Sequence, residues 1–141
     1  MFGGIVGVVS DSIFHLRRGE IYTICNKKFF CFGGAFSHDR YMRTLNKTYW
    51  EEEIPSSEEM GYASQNLDKN NNEVDFVVAH TVPDDLMPII GFDKGNIDPT
   101  RSFLNFVAAT VKFERMFSGH FHLDKDISKY SILWDRILKI V

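Results

Sequence analysis

A chain of 141 residues with 44% hydrophobic and 25% charged side chains has the make-up of one soluble globular domain, able to bury about two-thirds of its unfolded surface. A net charge of -3 with no run of Lys or Arg argues against nucleic-acid binding driven by bulk electrostatics, though not against phosphate substrates held through a metal. No stretch approaches the ~20 apolar residues needed to span a bilayer, and no membrane partner is expected.

The first ten residues are apolar and glycine-rich, but they lack the basic flank of a signal peptide and run straight into Asp11, so a cytoplasmic protein is expected. Gly3 to Val9 is β-branched and punctuated by glycine. Without a Gly-Lys-Ser/Thr ending it reads as a strand and not as a phosphate loop. Glu20 to Cys25 and Lys28 to Phe32 flank Asn26-Lys27, which is a hairpin signal. Phe29-Phe30-Cys31-Phe32 is apolar throughout, so both faces of that arm should be covered, with His15 nearby in a structural role. Cys25 and Cys31 fall in these adjacent arms and are expected to be free, buried thiols in a reducing compartment.

Gly33-Gly34 follows the apolar arm and permits a tight turn or a close backbone approach. The adjacent Ser37, His38 and Asp39 cannot fold back on one another as a nucleophile relay, so they are no triad, and Asp39 fits a turn. Glu51-Glu52-Glu53 reads as a solvated edge. Ser56 with Glu59 three residues on forms a capping box for a helix burying Met60, Ala63 and Leu67, and a surface loop spans Asp68 to Glu73.

Phe76 to Ala79 is the next buried strand and ends in His80. The irregular run from Thr81 to Ile97 is long enough to cover a site. Asp98-Pro99 opens a helix to about Lys112, with Phe103, Phe106, Val107 and Val111 in the core. Glu114 to Ser118 is a strand that delivers His120 and His122 to the end of a sheet, two apart and therefore facing one way if the backbone stays extended. Lys129 to Trp134 and Ile137 to Ile140 close the chain as β structure. Neutral imidazoles aimed into one space suit a transition metal, because each ring nitrogen offers a lone pair without adding charge.

Together, Leu16-Arg17-Arg18-Gly19-Glu20, Phe32-Gly33-Gly34-Ala35-Phe36-Ser37-His38-Asp39, Trp50-Glu51-Glu52-Glu53, Val74 to Pro83 and Gly119-His120-Phe121-His122 resemble, in order and spacing, the calcineurin-like metallophosphoesterases. The resemblance covers nearly the whole chain. It implies an α/β fold, the C-terminal half of a four-layer α/β/β/α sandwich, forming one partial domain over residues 1–141. It also implies phosphoester hydrolysis at two divalent metal ions, with His80 and His120 on the second metal and His122 on the first. The family's earlier motifs, Asp-x-His, Gly-Asp-x-x-Asp and Gly-Asn-His, do not occur in this sequence.

Two ions ~3.5–4 Å apart need anionic ligands between them, which imidazoles cannot supply. Negligible phosphatase activity and weak metal affinity are therefore expected of this chain, with Mn, Fe or Zn favoured over Mg. Self-association, or pairing with a separate N-terminal half, is the expected partnership, through apolar edges at Phe29 to Phe32 or Phe76 to Ala79. Two other readings stay open: a degenerate, non-catalytic binding or structural module that keeps the histidines as hydrogen-bonded core groups, and a structural zinc site at these histidines with an acid such as Asp39.

Overall fold

The computed structural model describes residues 1–37 and 39–140. Its centre is a mixed six-stranded sheet in the order β3-β4-β5-β6-β8-β7, made of β3 (Ile21–Ile24), β4 (Lys27–Phe32), β5 (Phe76–Ala79), β6 (Arg115–Ser118), β7 (Lys125–Ile127) and β8 (Tyr130–Ile132). β4, β5, β6 and β8 run parallel, and the edge strands β3 and β7 pair antiparallel. A separate hairpin joins β1 (Val6–Ser10) to β2 (Ile13–Leu16).

The β4-to-β5 and β5-to-β6 steps are crossovers for which the sequence supplies helices with strong start signals, whereas β6 reaches β8 by way of β7. α1 (Ser57–Lys69) begins on the expected capping box: Ser56 Oγ accepts from Glu59 N at 3.1 Å and Glu59 Oε2 accepts from Ser56 N at 2.8 Å. α2 (Pro99–Thr110) begins at Asp98, whose carboxylate accepts from Thr100 N at 2.8 Å. Both helices pack on one face of the sheet, where Ala63, Leu67, Leu104 and Val107 meet Phe30, Phe32, Val77 and Met116. Strand alternation puts Phe29, Phe76 and Phe117 on the opposite face, with ring centroids 5.1 and 5.7 Å apart along the row and Ile24 and Leu133 packed beside them.

Several expectations need correction. The hairpin turn sits one residue earlier than Asn26-Lys27: Ile24 pairs with Lys27, and Cys25 and Asn26 take φ of 50° and 60°. Cys25 is therefore exposed at a turn, while Cys31 is buried, and both are free. Phe106 lies 45% exposed instead of in the core, and Ile137 to Ile140 form no strand, with Ile137 96% exposed. Phe29 to Phe32 and Phe76 to Ala79 are not sheet edges, because β3 covers the outer side of β4 and β6 the far side of β5. Among the described residues, no helix is long and apolar enough to cross a membrane.

Candidate functional site

The parallel strands all end on one edge of the sheet, and the candidate residues gather there. β4 runs into Gly33-Gly34, β5 into His80, β6 into Gly119-His120 and β8 into Leu133-Trp134. The register extends past the strands, with Gly119 N donating to His80 O at 3.1 Å and Leu133 N to Ser118 O at 2.8 Å. The C-terminal edge of parallel strands is where open α/β sheets place ligands, since the chain leaves each strand there in loops free to carry function.

His80 and His120 meet at this edge. Nε2 of His80 lies 2.9 Å from Nδ1 of His120, and the ring centroids are 4.8 Å apart at 68°. One ring donates and the other accepts, so at least one imidazole is neutral in this arrangement. His80 is solvent-exposed at this edge, yet partial desolvation of its ring holds it below the ordinary imidazole value, against the opposing pull of the Glu53 and Asp98 carboxylates. A neutral His80 keeps the lone pair that a metal would need.

His122 stands apart from this pair. Its ring lies over Trp134, centroids 3.9 Å apart and tilted by 33°. The expectation that His120 and His122 face one way rests on extended backbone, but β6 stops at Ser118, and the two residues take φ of 72° and 51°. Period-two alternation ends where the strand ends. Left-handed backbone is uncommon outside glycine, although histidine is among the side chains enriched in it.

The glycine-rich loop is shaped by contacts from the next segment. Gly34 has φ of +109°, and a Cβ there would collide with the Glu53 carbonyl. Beside it Arg18 donates to Glu59 Oε2 and to Glu52 O, both at 2.8 Å, and lines a cleft of about 470 Å³ together with Gly33, Gly34 and Glu52. Glu53, expected as solvated, accepts from Ser37 Oγ and from Trp50 N, both at 3.1 Å. Asp39 is engaged with Arg43 at 2.8 Å, and His38 lies outside the described residues. A cavity of about 640 Å³ opens at the other end of the sheet between Lys28, Asn70, Asp75 and Lys112, away from every candidate histidine.

Sequence reasoning missed a buried network beside the site. Asp98 also accepts from Phe36 N at 3.1 Å, and Arg101, 2% exposed, faces Asp84 at 3.0 Å and Asp98 at 3.7 Å. The three-residue spacing of Asp98 and Arg101 across a helix start was the available signal.

The donor set fits one ion in part. Two imidazole nitrogens sharing a tetrahedral zinc would stand ~3.3 Å apart, taking Zn–N near 2.05 Å, so the observed pair would need to open by a few tenths of an ångström and turn until both lone pairs aim at the ion and not at each other. The set does not fit a two-ion centre: among the described residues, no group of three or more His, Cys, Asp and Glu side chains is arranged to hold a metal. Compared with family models, with curated proteins and with solved structures, the chain shows no match.

Proposed function

We propose that the chain carries the histidine half of a metal-dependent phosphoesterase site, belonging to a four-layer α/β/β/α sandwich. His80 and His120 would serve a single divalent ion, and His122 a second ion when the anionic ligands are supplied by another polypeptide segment. The observation that carries this reading is the 2.9 Å approach of His80 to His120 across two neighbouring strand ends, between residues 40 apart in sequence. Mn, Fe or Zn would be preferred to Mg, because the available donors are imidazoles. A bound ion would supply Lewis acidity, while the chain's own part is to hold the two rings side by side at the sheet edge.

The sheet face opposite the helices supports pairing with a separate half. Val78, in the middle of β5, is 38% exposed there, although flanking strands cover both its edges. A further layer laid on this face would cover Val78 beside the already buried Phe76 and Phe117. Sedimentation together with binding of a hydrophobic dye tests this: a monodisperse monomer that binds no dye counts against it.

The second reading is a non-catalytic module, favoured by the fact that each imidazole already has the other as a polar partner. Assay of the purified chain with Mn and an aryl phosphate, alongside a cobalt titration followed by its visible spectrum, separates the two. The phosphoesterase reading expects cobalt bands with nitrogen ligation and turnover well below ~1 per second, the low end for enzymes. Absence of cobalt binding leaves the non-catalytic module. Turnover at ~1 per second or above would refute the claim that the anionic ligands come from elsewhere.

A further inference from the structure

Arg101 occupies a helix position where the packing calls for an apolar side chain. It is 2% exposed, and its Nη2 donates to the carbonyls of Lys94 and Asn96, both at 2.6 Å. Its Nε faces Asp84 at 3.0 Å, and Asp98 lies 3.7 Å away. Removing a guanidinium from water costs several kcal/mol, and well-packed apolar residues often replace such ion pairs without loss of stability. The arrangement therefore has to be explained by what it holds in place.

What it holds is the loop that leaves His80, which it meets at Asp84, Lys94 and Asn96, and, through Asp98, the distant glycine-rich loop. Lys94 and Asn96 belong to the loop that leaves His80, while Asp98 caps α2 and accepts from Phe36 N in the glycine-rich loop at 3.1 Å. The other side of the His80 loop rests on the second histidine segment: Phe92 packs on Phe121 at 5.0 Å, and Phe121 packs edge-on against His120, also at 5.0 Å. We propose that Arg101 is a positioning residue for the His80–His120 pair. Through Asp98 and the carbonyls of Lys94 and Asn96, it locks the loop over residues 81–97 and the glycine-rich loop in one register beside the imidazoles. The functional part rests on the phosphoesterase reading, whereas the mechanical coupling does not.

The test compares Arg101→Met, Arg101→Lys and Asp98→Asn in the full chain by amide hydrogen exchange and cobalt titration. Arg101→Met is expected to speed exchange at Phe36 and across 84–97 at least tenfold, while Val77 and Met116 in the sheet keep their protection. Cobalt affinity should fall at least tenfold, and Arg101→Lys, which keeps the charge without the fork, should restore part of both. Should Arg101→Met fail to fold, Asp98→Asn reads the same Phe36 amide. Unchanged Phe36 exchange, or uniform loosening of loops and sheet together, overturns the coupling. Cobalt binding that persists at full strength in Arg101→Met overturns the positioning role. A wild-type chain that binds no cobalt sinks the metal reading and with it the positioning role, leaving the exchange comparison to judge the coupling alone.

Discussion

His80 and His120 are joined by a 2.9 Å contact between ring nitrogens, yet one follows β5 and the other β6, with α2 between them in the chain. Their meeting is a product of the parallel pairing of those two strands, which sets Val77 beside Met116 and carries each chain out of the sheet at a common level. A zinc or cobalt ion entering here must displace the shared proton. His80→Ala and His120→Asn are each expected to weaken cobalt binding at least tenfold, about 1.4 kcal/mol, with asparagine chosen because it tolerates left-handed backbone. His122→Ala, whose ring lies on Trp134, should change binding of a single ion less than threefold in the same titration.

Gly34→Ala places a methyl group against the Glu53 carbonyl and forces a left-handed φ of +109° on an alanine. Both effects are unfavourable, and a loss of about 2–4 kcal/mol in denaturant unfolding is expected. Gly33→Ala, where a Cβ meets no atom within 4 Å, should cost far less. Equal losses at the two positions would contradict the close approach of the Glu53 segment.

Phe32 is fully buried, stacks on Phe30 and lies 4.4 Å from the Phe103 ring of α2, one residue before the glycine-rich loop begins. Phe32→Ala is expected to cost about 3–5 kcal/mol by leaving a cavity between sheet and helix. Chemical denaturation measures the loss. A change under about 1 kcal/mol would mean that the site end of the sheet is less tightly packed than described.

Burial pushes the Cys31 thiol up to about 12. A thiol with a folded value above its unfolded one, ~8.5, keeps its proton better when folded, so its contribution is whole below ~8.5 and declines as the pH rises towards 12. Denaturation midpoints should therefore fall between pH 8 and pH 11, and Cys31→Ala should flatten that decline. A thiol reagent at pH 8 is expected to label the exposed Cys25 first and to reach Cys31 only on unfolding.

Much of the scaffold could be read from local chemistry. The Ser56–Glu59 capping box, the Asp98-Pro99 start and the apolar runs at Phe29 to Phe32 and Phe76 to Ala79 each specify an element through neighbours a few residues away. Short edge elements were harder. β7 has no apolar run, and Ile137 to Ile140 looks like a strand but finds no pairing partner among the described residues, the chain just before it being held by Asp124 and Asp126 gripping Trp134 N and Arg136. The candidate site was legible where strand ends fix a residue's place, as at His80, and lost where a left-handed turn redirects the chain, as at His122. Arg101 was hidden because its partners, Asp84 and the carbonyls of Lys94 and Asn96, lie in a loop whose path no periodicity describes.

The twisted backbone beneath His120 and His122 has an evolutionary and engineering consequence. Glycine at either place would relax the peptide by an amount on the order of 1 kcal/mol, but it would also remove the ring contacts of His120 with His80 and Phe121, or of His122 with Trp134, and strip the rim of a nitrogen donor. Directed selection for ion capture should keep both rings and bear the backbone cost beneath them, and asparagine, which shares the left-handed tolerance, is the replacement that separates the two demands.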